Sequence, residues 1–209
     1  MSSWSPEDWA AFFETEDNVT FDGYNDLTPP TIKALLDGAK IVTDAGRPCI
    51  GFGATSIRWR SKGAGDDGGE TLAKMLKCNQ TCISVDLGMS MCWRDAGKAF
   101  GEMLETNSTL KSLKLDKNNM AIDDKQKEAS VAFLKGLRVN TTLDELFLQY
   151  SGFTSEDMEE MKASAGNNSI DLNWSKDGAT NGSYLLEASH GDSNSPGSDG
   201  LKAEIETKM

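Results

Sequence analysis

The sequence contains few of the residues that build metal centres and disulfides. Its 209 residues include a single histidine, His190, and four cysteines: Cys49, Cys78, Cys82 and Cys92. The cysteine spacing matches no zinc-binding pattern. The start of the chain also lacks the basic segment and apolar run of a secretory signal. We therefore expect free thiols, no metal or other cofactor, and a cytoplasmic location.

Long apolar runs and basic clusters are missing as well. No stretch approaches the ~20 apolar residues of a membrane span. The net charge is −12: residues 1–30 carry −7 with no Lys or Arg and residues 175–209 carry −3, which leaves −2 for residues 31–174. Because nucleic acids and anionic membranes need basic patches, we expect neither as a partner. The acidic segment 1–30 either aids solubility or binds a basic partner.

A four-residue motif, which we call the tag, occurs four times along the chain. The tags begin at Asn79, Asn107, Asn140 and Asn167, at spacings of 28, 33 and 27 residues. The first three lead into an L-x-x-L-x-L frame, and a fourth frame lies 28 residues before the first of these. The frames are Ala54/Ile57/Trp59, Cys82/Val85/Leu87, Leu110/Leu113/Leu115 and Leu143/Leu146/Leu148. They predict strands centred near 57, 85, 113 and 146, and the last tag predicts a short fifth strand near 171.

Apolar pairs spaced i, i+4 lie between the frames and predict amphipathic helices. The pairs are Leu72/Leu76, Phe100/Leu104 and Phe133/Leu137. Five extra residues of the third repeat, within 120–128, belong in a strand-to-helix loop. One strand and one helix cannot bury their own apolar faces, whereas stacked copies can. We therefore predict an α/β fold, a short right-handed solenoid with parallel strands on the concave face and helices on the convex face.

The period, the Asn-Thr-Thr-Leu tag and the preceding helix together resemble the ribonuclease-inhibitor-like class of leucine-rich repeats, over about residues 54–174. The asparagine typical of the ninth repeat position is found only as Asn118, because Lys62, Ser90 and Ser151 stand in the other copies. A regular asparagine ladder is therefore not expected.

Two segments carry a narrower resemblance. Residues 72–81 (LAKMLKCNQT) and 110–115 (LKSLKL), followed by a lengthened penultimate repeat, are similar to the C-terminal repeat domain of tropomodulins. That resemblance implies actin or another cytoskeletal protein as a partner. Ran GTPase-activating proteins use similar repeats, so a regulator of a GTPase-like partner is a further alternative.

Three parts of the chain are predicted to differ in structure. Residues 1–30 form an acidic arm with a short aromatic helix, residues 31–174 the repeat domain with a capping helix over 31–43, and residues 175–209 a flexible tail. Ser5 and Pro6 predict the start of the aromatic helix. Its rings either fold back onto the capping helix or anchor in a groove on a partner. These rings are Trp4, Trp9, Phe12 and Phe13.

The chain shows no catalytic nucleophile–base set, and the glycine-rich run 63–69 lacks the lysine of a phosphate-binding loop, so we interpret it as a turn. We predict a non-catalytic protein–protein interaction module, a scaffold or assembly subunit. Residues between the frame leucines point outward across the sheet and form the candidate binding surface. They are Arg58, Arg60, Asp86, Lys114, Asp116, Glu145, Phe147 and Gln149. Phe147 is either an anchor for the partner or is covered by tail residues Tyr184, Leu185 and Leu186.

Overall fold

The computed structural model describes residues 4–15, 28–50, 52–60, 63–121, 127–166 and 171–173. Within them lie six helices and five strands of a mixed α/β structure. The helices are α1 Pro6–Phe13, α2 Pro29–Asp44, α3 Gly65–Lys77, α4 Arg94–Leu104, α5 Lys127–Val139 and α6 Ser155–Ser164. The strands are β1 Ser56–Arg58, β2 Ser84–Asp86, β3 Ser112–Lys114, β4 Glu145–Phe147 and β5 Asp171–Asn173. The predicted tail and most of the predicted loop extension lie outside the described residues.

The five strands form one parallel sheet in chain order, which confirms the predicted strands. The central frame residues stand in register across it, and a helix follows each of the first four strands. The row in register is Ile57, Val85, Leu113, Leu146 and Leu172. Paired residues on the first three strands are 28 positions apart in the sequence. Paired residues on β3 and β4 are 33 positions apart, so the five extra residues of the third repeat do not change the pairing of the frame positions.

One face of the sheet is buried together with the inner faces of the helices. The last two positions of each frame and both members of each helix pair, fourteen residues in all, are at most 2% exposed. They are Ile57, Trp59, Leu72, Leu76, Val85, Leu87, Phe100, Leu104, Leu113, Leu115, Phe133, Leu137, Leu146 and Leu148. The helices pack against one another in chain order. Gly101 and Gly136 permit the closest approach, because a Cβ at either would overlap the backbone of the neighbouring helix.

The aromatic helix α1 packs onto α2, so its rings adopt the first of the two predicted arrangements. A reciprocal capping box between Ser5 and Asp8 starts the helix. Trp9 and Phe13 are fully buried in the same core as the strands. The approach is close, since a Cβ on Gly38 of α2 would lie 2.5 Å from the Cβ of Trp9. Helix α2 begins at Pro29, two residues before the predicted start of the capping helix.

The asparagine tags join consecutive repeats. The Asn140 side chain is buried, its Nδ2 donates to the carbonyls of Leu104 and Asn107 at 2.9 Å each, and its Oδ1 accepts from two backbone amides of its own tag. Asn107 makes the same bonds one repeat earlier, to the Leu76 and Asn79 carbonyls. The recurrence of the tag therefore has a structural explanation.

A second ladder lies at the opposite ends of the strands. Asn118 donates to the Leu87 carbonyl at 3.0 Å. The Ser90 hydroxyl donates to the Trp59 carbonyl at 2.8 Å, and the Ser151 hydroxyl donates to the Leu115 carbonyl at 2.7 Å. These carbonyls occupy equivalent positions in successive repeats. Ser90 and Ser151 thus donate to carbonyls equivalent to the Leu87 carbonyl that Asn118 binds. The ladder is continuous across these three repeats, although two of its residues are serine and one is asparagine.

Candidate functional site

The outward face of the sheet is built from three rows of side chains, because residues alternate between the two sides of each strand. The strand burial patterns show this alternation, with each central residue buried between two more exposed neighbours. The first row is Ser56, Ser84, Ser112, Glu145 and Asp171; the middle row is Arg58, Asp86, Lys114 and Phe147. The third row, two residues further along each strand, is Arg60, Gly88, Asp116 and Gln149. All eight predicted site residues lie on this face.

Three of the eight bind to one another. Arg60 donates to both carboxylate oxygens of Asp116, at 2.9 and 2.5 Å, and to Asp86 at 3.3 Å. The carboxylates are nearly covered, with side-chain exposures of 20% for Asp86 and 11% for Asp116, while Arg60 keeps 38%. The hydrogen bond to Asp116 raises the pKa of Arg60 above its ordinary value. The cluster therefore holds a fixed guanidinium at the surface.

Gly88 makes this cluster possible. Arg60 and Asp116 are separated by two strand steps, ~10 Å along the sheet, and Gly88 lies between them. A Cβ at Gly88 would overlap the Nη1 of Arg60, so a larger residue would displace the guanidinium. The Gly88 amide also donates to Asp86 at 3.0 Å, which orients that carboxylate toward Arg60.

Lys114 and Phe147 form a pair in the middle row. The Lys114 Nζ lies 4.7 Å from the centroid of the Phe147 ring, within the range of a cation–π interaction. Phe147 is half-buried. Lys114 therefore covers part of the Phe147 ring, which is the one apolar side chain among the eight predicted site residues. The tail residues predicted to cover it instead lie outside the described residues.

The other three predicted site residues make fewer side-chain contacts. Arg58 is exposed, and its side chain makes no hydrogen bond or ion pair with any other residue in the described ranges. Glu145 is exposed and accepts one bond from the Ser112 hydroxyl at 2.9 Å. Gln149 is half-buried, and its backbone carbonyl accepts from the Lys117 amide at 2.7 Å. The face is consequently basic at β1, with Arg58, and acidic at β4 and β5, with Glu145 and Asp171.

A second surface, not predicted from the sequence, lies in the turns that follow the strands. We call it the turn patch: Met89, Met91, Trp93, Lys117 and Tyr150. Its apolar members are 42–56% exposed. Four of the five residues have a positive φ of 56–58°, the left-handed region. The one available signal in the sequence is the alternation of Met89, Met91 and Trp93 with the buried residues Ser90 and Cys92.

The glycine-rich run 63–69 forms a turn and the start of α3. Within it, Asp66 accepts hydrogen bonds from the backbone amides of Trp93 at 2.9 Å and Ala96 at 2.8 Å. This carboxylate caps the first turn of α4, which has no side-chain cap of its own. The run therefore has a structural explanation in the joining of two repeats.

The four cysteines are unbridged. Burial raises the pKa of Cys82 to about 11 and that of Cys92 and Cys49 to about 12. A thiol with such a pKa is protonated at neutral pH and is a poor nucleophile or metal ligand. The parts of the chain that the structure describes hold no group of three His, Cys, Asp or Glu residues placed to bind a metal ion. None of the helices described is long and apolar enough to cross a bilayer.

Comparison with models of protein families finds no match to the chain, and comparison with curated proteins finds none either.

Proposed function

We propose that this chain is a leucine-rich-repeat protein of the ribonuclease-inhibitor-like class, a short right-handed solenoid that acts as a non-catalytic protein–protein interaction module. Its partner contacts the outward face of the sheet. The repeat class is supported by the register of the strands, by the helix after each of the first four strands, and by the asparagine tags that join successive repeats.

One observation carries the functional proposal: the outward face is rigid and electrostatically polarised. Ladders of side-chain hydrogen bonds hold both ends of the strands. Between them, Arg58 on β1 and Glu145 on β4 offer opposite charges, and the half-buried Phe147 ring lies on β4, two residues after Glu145. Such a preorganised face suits a helix or extended peptide laid across the strands, because charges of opposite sign fix its direction.

The tropomodulin resemblance supports the fold more strongly than it supports a partner. Within 72–81, Leu72 and Leu76 are core residues, and Asn79 makes hydrogen bonds of the tag. Within 110–115, Leu110, Leu113 and Leu115 are buried. None of these side chains is placed to contact a partner. Actin remains the first specific protein to test, and the GTPase-like partner is the second.

Site-specific photocrosslinking tests the proposed face. A photoreactive amino acid is placed at Gln149, on the outward face, and separately at Lys135, an exposed position on α5. Each full-length variant is crosslinked in cell extract and the products are identified by mass spectrometry, with purified actin as a parallel probe. We expect a specific protein adduct from position 149 that is absent from position 135. Adducts from position 135 alone would place the partner on the helices.

A further inference from the structure

We propose that the turn patch is a second docking surface, separate from the outward face, and that it takes an amphipathic helix from another protein with carboxylates beside its apolar side. The patch comprises Met89, Met91, Trp93, Lys117 and Tyr150, as defined above. Its composition is that of interface centres, where Met, Tyr and Trp are enriched relative to other surfaces.

The apolar members face solvent without a role in the core. Met91 and Trp93 are 56% and 55% exposed, and Met89 and Tyr150 are 43% and 42% exposed. Ser90 and Cys92, which alternate with Met89, Met91 and Trp93 along the chain, are fully buried. The backbone therefore directs the large side chains of Met89, Met91 and Trp93 outward together.

The conformation of the turns makes this choice of residues informative. Met89, Lys117 and Tyr150 occupy equivalent positions, and all three have a left-handed backbone with φ of 56–57°. Glycine and asparagine adopt this region most easily, and side chains with a Cβ are disfavoured there. Met89 and Tyr150 occupy two of these positions, and close to half of each side chain is exposed. Their apolar side chains therefore add backbone strain to the fold and bury little surface in return.

Hydrogen bonds also hold the backbone of the turn that carries Met89, Met91 and Trp93. The Met89 amide donates to the Asp116 carbonyl at 3.0 Å, which joins the turn to the next repeat. The amides of Ser90 and Cys92 both donate to the Asn118 side chain at 3.1 Å. The Trp93 amide donates to Asp66, which fixes the other end of the segment. A backbone that is ordered before binding loses little conformational entropy when a partner arrives.

The accessible charge of the patch is positive. Lys117 is exposed between Met89 and Tyr150 and has no ion pair with any described residue. The neighbouring Asp116 is nearly covered by Arg60, and Asp66 is occupied by amides of α4. Arg94 and Asp95, at the start of α4, pair with each other. Lys117 therefore offers a cation beside Met89 and Tyr150, and the complement of that cation is a carboxylate.

The dimensions fit a helix. Met89 and Tyr150 lie on turns two strand steps apart, a separation of ~10 Å. Side chains at i and i+7 of a helix are ~10.5 Å apart along its axis. A helix of two to three turns therefore spans the patch with apolar residues at both ends and an acidic residue opposite Lys117.

Two fluorescent 18-residue peptides provide the test. Both form the same Leu-rich helical face, and their polar faces carry either Glu or Lys. Anisotropy is measured with the full chain. We expect the Glu peptide to bind at least tenfold more tightly than the Lys peptide. This preference opposes the net charge of −12, which attracts the Lys peptide non-specifically. Equal affinities, tighter binding of the Lys peptide, or no binding of either would overturn the proposal.

Variants locate the site. We expect Met89→Ser/Trp93→Ser to lose at least tenfold in affinity for the Glu peptide, and Lys117→Glu to reverse the preference between the peptides. Because these side chains are exposed, the melting temperature should be unchanged. Arg58→Ala/Phe147→Ala should leave peptide binding unaffected, which separates this site from the outward face. Unchanged affinity in the Met89→Ser/Trp93→Ser chain, or a dimer that this variant dissociates, would contradict the assignment.

Discussion

At the scale of single residues, the electrostatics of the outward face are decided by side-chain reach. Arg60 extends across Gly88 to Asp116, 56 positions along the chain, and its charge-assisted bonds satisfy two carboxylates at once. No spacing rule in the sequence predicts this cluster, because it depends on a missing Cβ in the intervening strand. Sequence analysis could place these residues on one face but could not predict which of them bind each other.

Removal of Asp116 should therefore lower stability measurably. We expect Asp116→Ala to reduce the free energy of unfolding by about 1–3 kcal/mol, since Arg60 loses its bidentate partner in a partly covered site. Lys111→Ala is the matched control, because the Lys111–Asp144 pair is exposed and 3.6 Å apart. That variant should change stability by less than about 0.5 kcal/mol. Urea denaturation measures both, and equal effects would show that the Arg60 cluster contributes no more than a surface pair.

Thiol reactivity offers a second check at this scale. Cys78 is exposed, whereas burial raises the pKa of Cys82 to about 11 and that of Cys92 to about 12. Only the thiolate attacks a disulfide reagent, so raised pKa and poor access both slow the buried thiols. Ellman's reagent at about pH 8 should find one fast thiol in the native chain and four in denaturant. Cys78→Ser should abolish the fast phase, and rapid reaction of the buried pair would contradict the packing.

At the scale of elements, the repeat frame predicts the buried residues at the centre of each described repeat. Ile57, Val85 and Leu113 follow directly from the 28-residue period, and so do helix positions such as Phe100 and Leu104. Leu146 follows from the tag that begins at Asn140. The turns after the strands were less predictable. The left-handed backbone at Met89 and Tyr150 occurs without glycine or asparagine at these positions, so the repeat pattern alone does not predict the exposed patch. The aromatic helix α1 left two arrangements open because its amphipathic face suits either a core or a partner.

The tag asparagines provide the sharpest test of how the elements are joined. Asn140→Ala leaves two carbonyls and two amides without their partner in a buried turn. We expect a loss of about 2–4 kcal/mol in unfolding free energy. Thr141→Ala, at the neighbouring exposed residue, should cost less than about 0.5 kcal/mol. Thermal or urea unfolding distinguishes the two, and a neutral Asn140→Ala would mean that the tag does not hold the repeats together.

At the scale of the whole molecule, function depends on which surface remains available after the chain has satisfied its own groups. The residues that recur in each repeat are buried in the core or form the two hydrogen-bond ladders. The outward face retains Arg58, Glu145 and part of Phe147, and the turn patch retains its apolar side chains and Lys117. The period of the sequence predicted the first surface because outward positions follow from strand alternation. It could not predict the second, which depends on turn conformation and on neighbours from three repeats.

The affinity of the crosslinked partner for three full-length variants tests the central proposal most directly. Phe147→Ala and Arg58→Ala remove contacts on the outward face, and Lys135→Ala removes an exposed cation on α5. By titration calorimetry, the proposal predicts that each of the first two loses at least about 1.4 kcal/mol of binding free energy, tenfold in affinity, while Lys135→Ala binds like the unmodified chain. If the affinity is unchanged in Phe147→Ala and Arg58→Ala alike, the outward face is not the binding site.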